Sequence, residues 1–187
     1  MRFFWKLYLK IFGWKIAGSP PHHLNKYVII VGPHTSNLDF VVGVAVRSVT
    51  QMKTHFLGKK ELFNPPFGFI FRMLGGYPVD RSSNKNMVDE VVKIFNAHEK
   101  FSIALAPEGT RSKVEKLRTG FYHIALNANI PLAMASLDFK NREVKFSEPF
   151  NLTGDKSRDF EKIFDFFRNV SGKNPELGMS DLKIESL

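Results

Sequence analysis

Short apolar runs rich in β-branched and aromatic residues recur along the chain, at 27–33, 54–58, 76–80, 102–106, 130–138 and 143–147. Helix-length segments separate them, at 37–49, 61–74, 85–100, 119–128 and 156–170. Strands that alternate with helices cannot be chained as hairpins. They build a sheet with parallel pairs, and the helices cover its faces. The chain has 187 residues, enough for one continuous core. The expectation is therefore a single α/β domain with a mixed, partly parallel sheet flanked by helices and an amphipathic helix in front. Residues 1–17 form that helix in this reading, 18–170 the body, and 171–187, polar with Gly and Pro, a loosely held tail. Phe160, Ile163, Phe164 and Phe167 recur at helical spacing and read as core.

The run Tyr27–Val31 ends in Gly32-Pro33, and His34 and Asp39 follow it. The end of a buried strand is a usual place for reactive groups held by a rigid scaffold. A histidine beside a carboxylate is a general base with its orienter: the carboxylate fixes the tautomer and stabilises the imidazolium. Ser36-x-x-Asp39 is equally a capping-box variant that would start a helix at residue 37. The two readings are compatible, because a cap at the helix start still leaves the Asp39 carboxylate within reach of His34.

Two further segments follow strand-like runs. Gly75-Gly-Tyr-Pro-Val-Asp-Arg81 ends in a charged pair, and Ala106-Pro-Glu-Gly-Thr-Arg-Ser112 comes after Phe101–Leu105. Gly109 frees the backbone to approach an anion closely, and Arg111 offers a planar fork for phosphate oxygens. Read alone, Gly109-Thr-Arg-Ser is a solvated turn.

In this order, His-x4-Asp, Gly-x-x-x-Asp-Arg, Pro-Glu-Gly-Thr-Arg-Ser and the proline-bearing strand Asn129-Ile-Pro-Leu-Ala-Met134 resemble the glycerolipid acyltransferase family, whose type activity is acylation of 1-acylglycerol-3-phosphate. The blocks span residues 34 to 134. The chain departs from many members at Pro33, where an Asn often precedes the histidine. The resemblance implies an acyltransferase domain over 18–170 that moves a fatty acyl group from an acyl thioester, on coenzyme A or acyl carrier protein, to a lysophospholipid hydroxyl in phospholipid biosynthesis. It implies His34 and Asp39 as catalytic groups, with Arg81, Glu108, Gly109, Thr110 and Arg111 at the acceptor. Lys59 and Lys60 are further candidates for the acceptor's anion. No bound cofactor or metal is expected. The favoured acceptor is 1-acylglycerol-3-phosphate; glycerol-3-phosphate and lyso-ornithine lipids are alternatives, as is a non-catalytic basic membrane-binding module.

Charge is unevenly placed. Residues 1–60 hold nine Lys or Arg against one Asp, whereas residues 61–187 are close to neutral. Such a basic end faces either nucleic acid or a membrane. The first residues favour the membrane: Arg2, Lys6 and Lys10 recur every four positions as one stripe, beside Phe3, Phe4, Trp5, Leu7, Tyr8 and Trp14. The segment is too short and charged to span a bilayer, which needs about 20 apolar residues. It describes a helix lying in an anionic interface, its cations reaching the headgroups; the other reading packs the aromatic face on the protein's own core. The expected partners are an anionic membrane surface, the acyl donor and the lipid acceptor, with no nucleic acid, at the cytoplasmic face of a membrane. Leu62–Phe71, with its four phenylalanines, is a second candidate contact. The chain has no cysteine, which removes disulfides and a thiolate nucleophile.

Overall fold

The computed structural model describes residues 2–79, 84–179 and 181–182. Seven strands form one sheet: β1 (Lys15–Ala17), β2 (Lys26–Gly32), β3 (His55–Lys59), β4 (Gly76–Val79), β5 (Phe101–Leu105), β6 (Leu132–Asp138) and β7 (Glu143–Phe146), in the order β1-β7-β6-β2-β5-β3-β4. The helices are α1 (Arg2–Ile11), α2 (Leu38–Thr50), α3 (Gly68–Met73), α4 (Asn84–Ala97), α5 (Gly120–Asn127) and α6 (Lys156–Phe167). The five strands from β6 to β4 are mutually parallel; β7 runs against β6, and β1 follows β7. The expected mixed, partly parallel α/β sheet is what forms, and most of its strand pairs are parallel.

The central strands are apolar on both faces because both are covered, as in parallel sheets generally. Val28 and Ile30 of β2 join Ile103, Leu132 and Met134 beneath α4, α5 and α6, where Val91, Phe95, Phe121, Phe160, Ile163, Phe164 and Phe167 are buried. Tyr27 and Ile29 point the other way, with Ala133, Ala135 and Leu137, onto Val42, Ala45 and Val46 of α2 and Leu9 of α1. The sheet thus lies between α1 and α2 on one side and α4 to α6 on the other.

Three segments differ from the sequence reading. The helix expected over 61–74 is split into a 3-10 turn, Lys60–Phe63, and the short α3, with Pro65-Pro66 between them. The N-terminal helix stops at Ile11, not at residue 17, and Lys15–Ala17 instead joins the sheet beside β7. Gly13, at φ 69°, makes the turn between them. The segment after α6 is packed down rather than loose. Ser171 accepts the Phe139 amide at 2.8 Å, Asn174 binds Thr35 twice, and Met179 is 3% exposed within the core. A polar, Gly- and Pro-containing composition signalled a tail; its few anchoring contacts are all long-range and leave no local pattern.

Candidate active site

Parallel pairing places the C-terminal ends of β2, β3, β4 and β5 along one edge of the sheet. Open α/β sheets bind their ligands at that edge. Here β2 delivers the His34–Asp39 loop and β5 delivers Ala106–Arg111.

The His34 loop closes on a single oxygen. Asp39 Oδ2 lies 3.1 Å from His34 Nδ1 and accepts the Thr35 and Ser36 amides at 2.7 and 2.8 Å. Ser36 Oγ in turn accepts the Leu38 amide at 3.2 Å. They form just ahead of α2, which starts at Leu38 with Asn37 as its N-cap and no side-chain cap bond; the Asp39 amide goes to the Ser36 carbonyl at 3.3 Å, not to Oγ, so the capping box forms only in part. The Asp39 carboxylate thus ties down the loop amides and contacts the His34 ring, while the helix expected from residue 37 starts one residue later. Asp39 is 3% exposed, with every one of its side-chain contacts on Oδ2 and Oδ1 buried without a hydrogen-bond partner, whereas the His34 ring is partly open. With Nδ1 turned to a carboxylate, the imidazole carries its proton there and presents the Nε2 lone pair outward.

Glu108 supports the same loop from beneath. It is 1% exposed, and Oε1 accepts the His34 backbone N–H at 2.7 Å. Burial raises its carboxyl above the ordinary glutamate value; the His34 amide, its own amide and the His34 charge oppose this, and the Asp39 charge adds to it. Gly109 follows at φ 67°, a left-handed turn, and a Cβ there would meet Arg118 Cγ at 2.9 Å. That turn sends Thr110 and Arg111 out while Glu108 stays in.

His34 opens onto a cavity of about 1340 Å³. Gly109, Thr110, Arg111 and Arg118 line its polar mouth, and Ile29, Val46, Met52 and Leu137 line an apolar part beneath α2. Arg47 also borders it, with Nε donating to the Thr54 carbonyl at 2.8 Å. Desolvation lowers the pKa of this half-buried guanidinium.

The expected site residues separate on this geometry. His34, Asp39, Gly109, Thr110 and Arg111 come together around the cavity. Glu108 does not line it: its carboxylate faces the loop, not the space an acceptor would occupy. Lys59 and Lys60 are exposed and stand outside the lining. Arg81 lies outside the described residues. Leu62–Phe71 does not line the cavity either; Phe63 is buried while Leu62, Phe67 and Phe69 are exposed. Sequence reasoning missed Arg47, about two turns beyond Asp39 on α2, and Asn174, which is distant in sequence from every motif.

On α1, Phe3 is 81% and Ile11 68% exposed, and Phe4 and Leu7 are open as well. Arg2, Lys6 and Lys10 flank them, with Arg2 Nε donating to the Val49 carbonyl at 3.3 Å. Trp5, Tyr8 and Trp14 instead pack against the buried cluster around Leu9. One face of the helix is core, another is left to solvent.

The chain has known relatives in sequence pattern and in shape. No curated protein matches it. Among solved structures it resembles the 1-acyl-sn-glycerophosphate (LPA) acyltransferase PlsC from Thermotoga maritima, with a TM-score of 0.56 and 18% identity over 87% of this chain and 74% of that one. That likeness shows a common fold. The Acyltransferase family profile matches residues 15–136, well over half of the chain, and includes both the His34 and the Glu108 segments. The chain belongs to the Acyltransferase family.

Proposed function

We propose that this acyltransferase moves a fatty acyl group from an acyl thioester to a hydroxyl of a lysophospholipid, with 1-acylglycerol-3-phosphate as the acceptor, in phospholipid biosynthesis. The observation that carries the reading is that one cavity joins His34, Arg111 and Arg118 at its mouth and an apolar part beneath α2. His34 Nε2 takes the proton as the acceptor oxygen attacks the thioester carbonyl. Asp39 stabilises the imidazolium, and the C–S bond breaks as the new ester forms. The leaving thiolate then recovers the proton from His34. No acyl-enzyme is needed.

Arg111 and Arg118 at the mouth give a phosphate its charge-assisted partners. The apolar part beneath α2 offers an acyl chain a dry wall. Glu108 acts through the backbone of His34, as a positioning residue. The resemblance to a lysophosphatidate-acylating enzyme supports the choice of acceptor.

The protein meets its lipid at a membrane surface in this reading. No helix among the described residues is long and apolar enough to cross a membrane. The exposed phenylalanines of α1 beside Arg2, Lys6 and Lys10 suit a helix seated in an anionic interface at the cytoplasmic face. The test is thiol release from acyl-coenzyme A and from acyl carrier protein with a panel of acceptors. Release driven by 1-acylglycerol-3-phosphate above glycerol-3-phosphate and lyso-ornithine lipid is the expected result. Release driven only by one of the others would replace the acceptor.

A further inference from the structure

A second cavity, of about 590 Å³, lies where the end of α1, the start of α2, the β6–β7 turn and the segment 171–175 meet. None of its lining residues lines the catalytic cavity. Its walls are aromatic: Tyr8 and Phe12 stand 4.7 Å apart on one side, and Trp14 and Phe139 meet edge to face at 4.9 Å on the other. Its charged lining is Lys140, Arg142 and Lys173, and no carboxylate lines it. Arg142 is fixed, with Nη1 donating to the Phe12 carbonyl at 3.0 Å. Three cations around an aromatic box suit a ligand with an anionic head and an apolar body.

We propose that this crevice binds one anionic phospholipid of the membrane, its phosphate between Lys140, Arg142 and Lys173 and its glycerol and first methylenes against Trp14 and Phe139. The exposed face of α1 continues from Phe12, so a bilayer touching that face brings its headgroups to the crevice. The membrane seating is the reading given above; the crevice adds a specific lipid to it. The site also adjoins the catalytic loop. Leu38 lines the crevice and immediately precedes Asp39, and a Cβ at Gly172 would stand 2.7 Å from Thr35 Oγ1.

The chain has two tryptophans, so Trp5→Phe leaves Trp14 as the reporter. Dihexanoyl phosphatidylglycerol, kept monomeric, should change Trp14 emission saturably, while dihexanoyl phosphatidylcholine and inorganic phosphate should not. Lys140→Glu with Lys173→Glu should weaken the response about tenfold or more, since each cation near an anionic lipid contributes appreciably. Arg142 is left intact because it also holds the end of α1. Arg111→Ala, at the other cavity, should keep the response. An equal response to phosphatidylcholine or to phosphate alone would overturn the proposal, as would an unchanged response in the lysine variant or a lost one in Arg111→Ala. Vesicle flotation of the same proteins separates the two readings. A protein that ignores vesicles yet binds the monomeric lipid refutes the membrane seating and leaves the crevice standing.

Discussion

Glu108 holds His34 by its backbone, not by its ring: Oε1 takes the His34 amide at 2.7 Å from a position that is 1% exposed. A carboxyl placed this way fixes where the imidazole starts from without touching substrate. Burial raises it above the ordinary glutamate value. The native state therefore keeps a proton that the unfolded chain releases. Stability contributed in this way is fully present below the unfolded value and declines as pH rises through the native one. Glu108→Gln can still accept the amide but has no proton to release. Chemical denaturation across pH should show the stability of the parent relative to Glu108→Gln falling through that window; a difference flat in pH would mean that folding leaves the carboxyl unshifted.

His34 and Asp39 should separate stability from turnover. His34→Ala removes the partly exposed ring and should lose at least ~100-fold in turnover, the lower range for a positioned base, while melting close to the parent. Asp39→Ala removes the oxygen that accepts the Thr35 and Ser36 amides, so it should lower the melting temperature as well as turnover. Equal stability in the two variants would show that the loop does not depend on Asp39.

The 171–179 segment predicts a structural dependence that its composition conceals. Asn174 Nδ2 donates to the Thr35 carbonyl at 2.8 Å and its amide to Thr35 Oγ1 at 3.2 Å. Asn174→Ala loses the first of these and should cost about 0.5–1.5 kcal/mol in denaturation, with a fall in turnover because Thr35 adjoins His34. Ending the chain at residue 170 also removes Met179 from the core and should prevent folding. A truncated chain that folds and melts as the parent would make the segment dispensable.

Legibility in the sequence tracked how local the determining physics is. β2 to β7 and α2, α4, α5 and α6 were readable because β-branched runs and amphipathic spacing act over a few residues. The Ser36–Asp39 turn was readable for the same reason, although its capping box forms only in part. β1 was not: three residues pair with β7 from across the chain, and nothing in Lys15-Ile-Ala17 marks them as strand. At the site, His34 and Arg111 stood out by chemistry, but a motif does not say which way a side chain points. Glu108 and Arg111 share one segment, and only the turn at Gly109 puts the first beneath the loop and the second in the cavity.

Arg111 tests the acceptor. If it holds the acceptor's phosphate, Arg111→Ala should raise the acceptor KM and leave the donor KM nearly unchanged. Loss of a charge-assisted contact costs about 1.5–3 kcal/mol, or roughly ten- to a hundred-fold. Arg111→Lys should recover only part of this, since an ammonium cannot make a two-pronged contact. A defect confined to the donor would place Arg111 at the donor's phosphates instead.

The two faces of α1 make the membrane reading testable without dismantling the fold. Removing residues 1–17 would take away β1 and the packing of Leu9, Trp5 and Tyr8, so loss of vesicle binding in that truncation would be ambiguous. Phe3, Phe4, Leu7 and Ile11 are exposed, and changing all four to Ser should leave the melting temperature almost unmoved. Each such side chain gains about 1.5–3 kcal/mol when fully buried in an apolar medium. The quadruple variant should therefore leave anionic vesicles and lose activity on vesicle-borne acceptor, while keeping it on a short-chain, water-soluble one. Lys6→Gln with Lys10→Gln should weaken binding less, by about 1 kcal/mol for each cation, and only at low salt. A quadruple variant that floats with vesicles as the parent does would move the contact elsewhere, and the exposed Leu62, Phe67 and Phe69 would be the next surface to change.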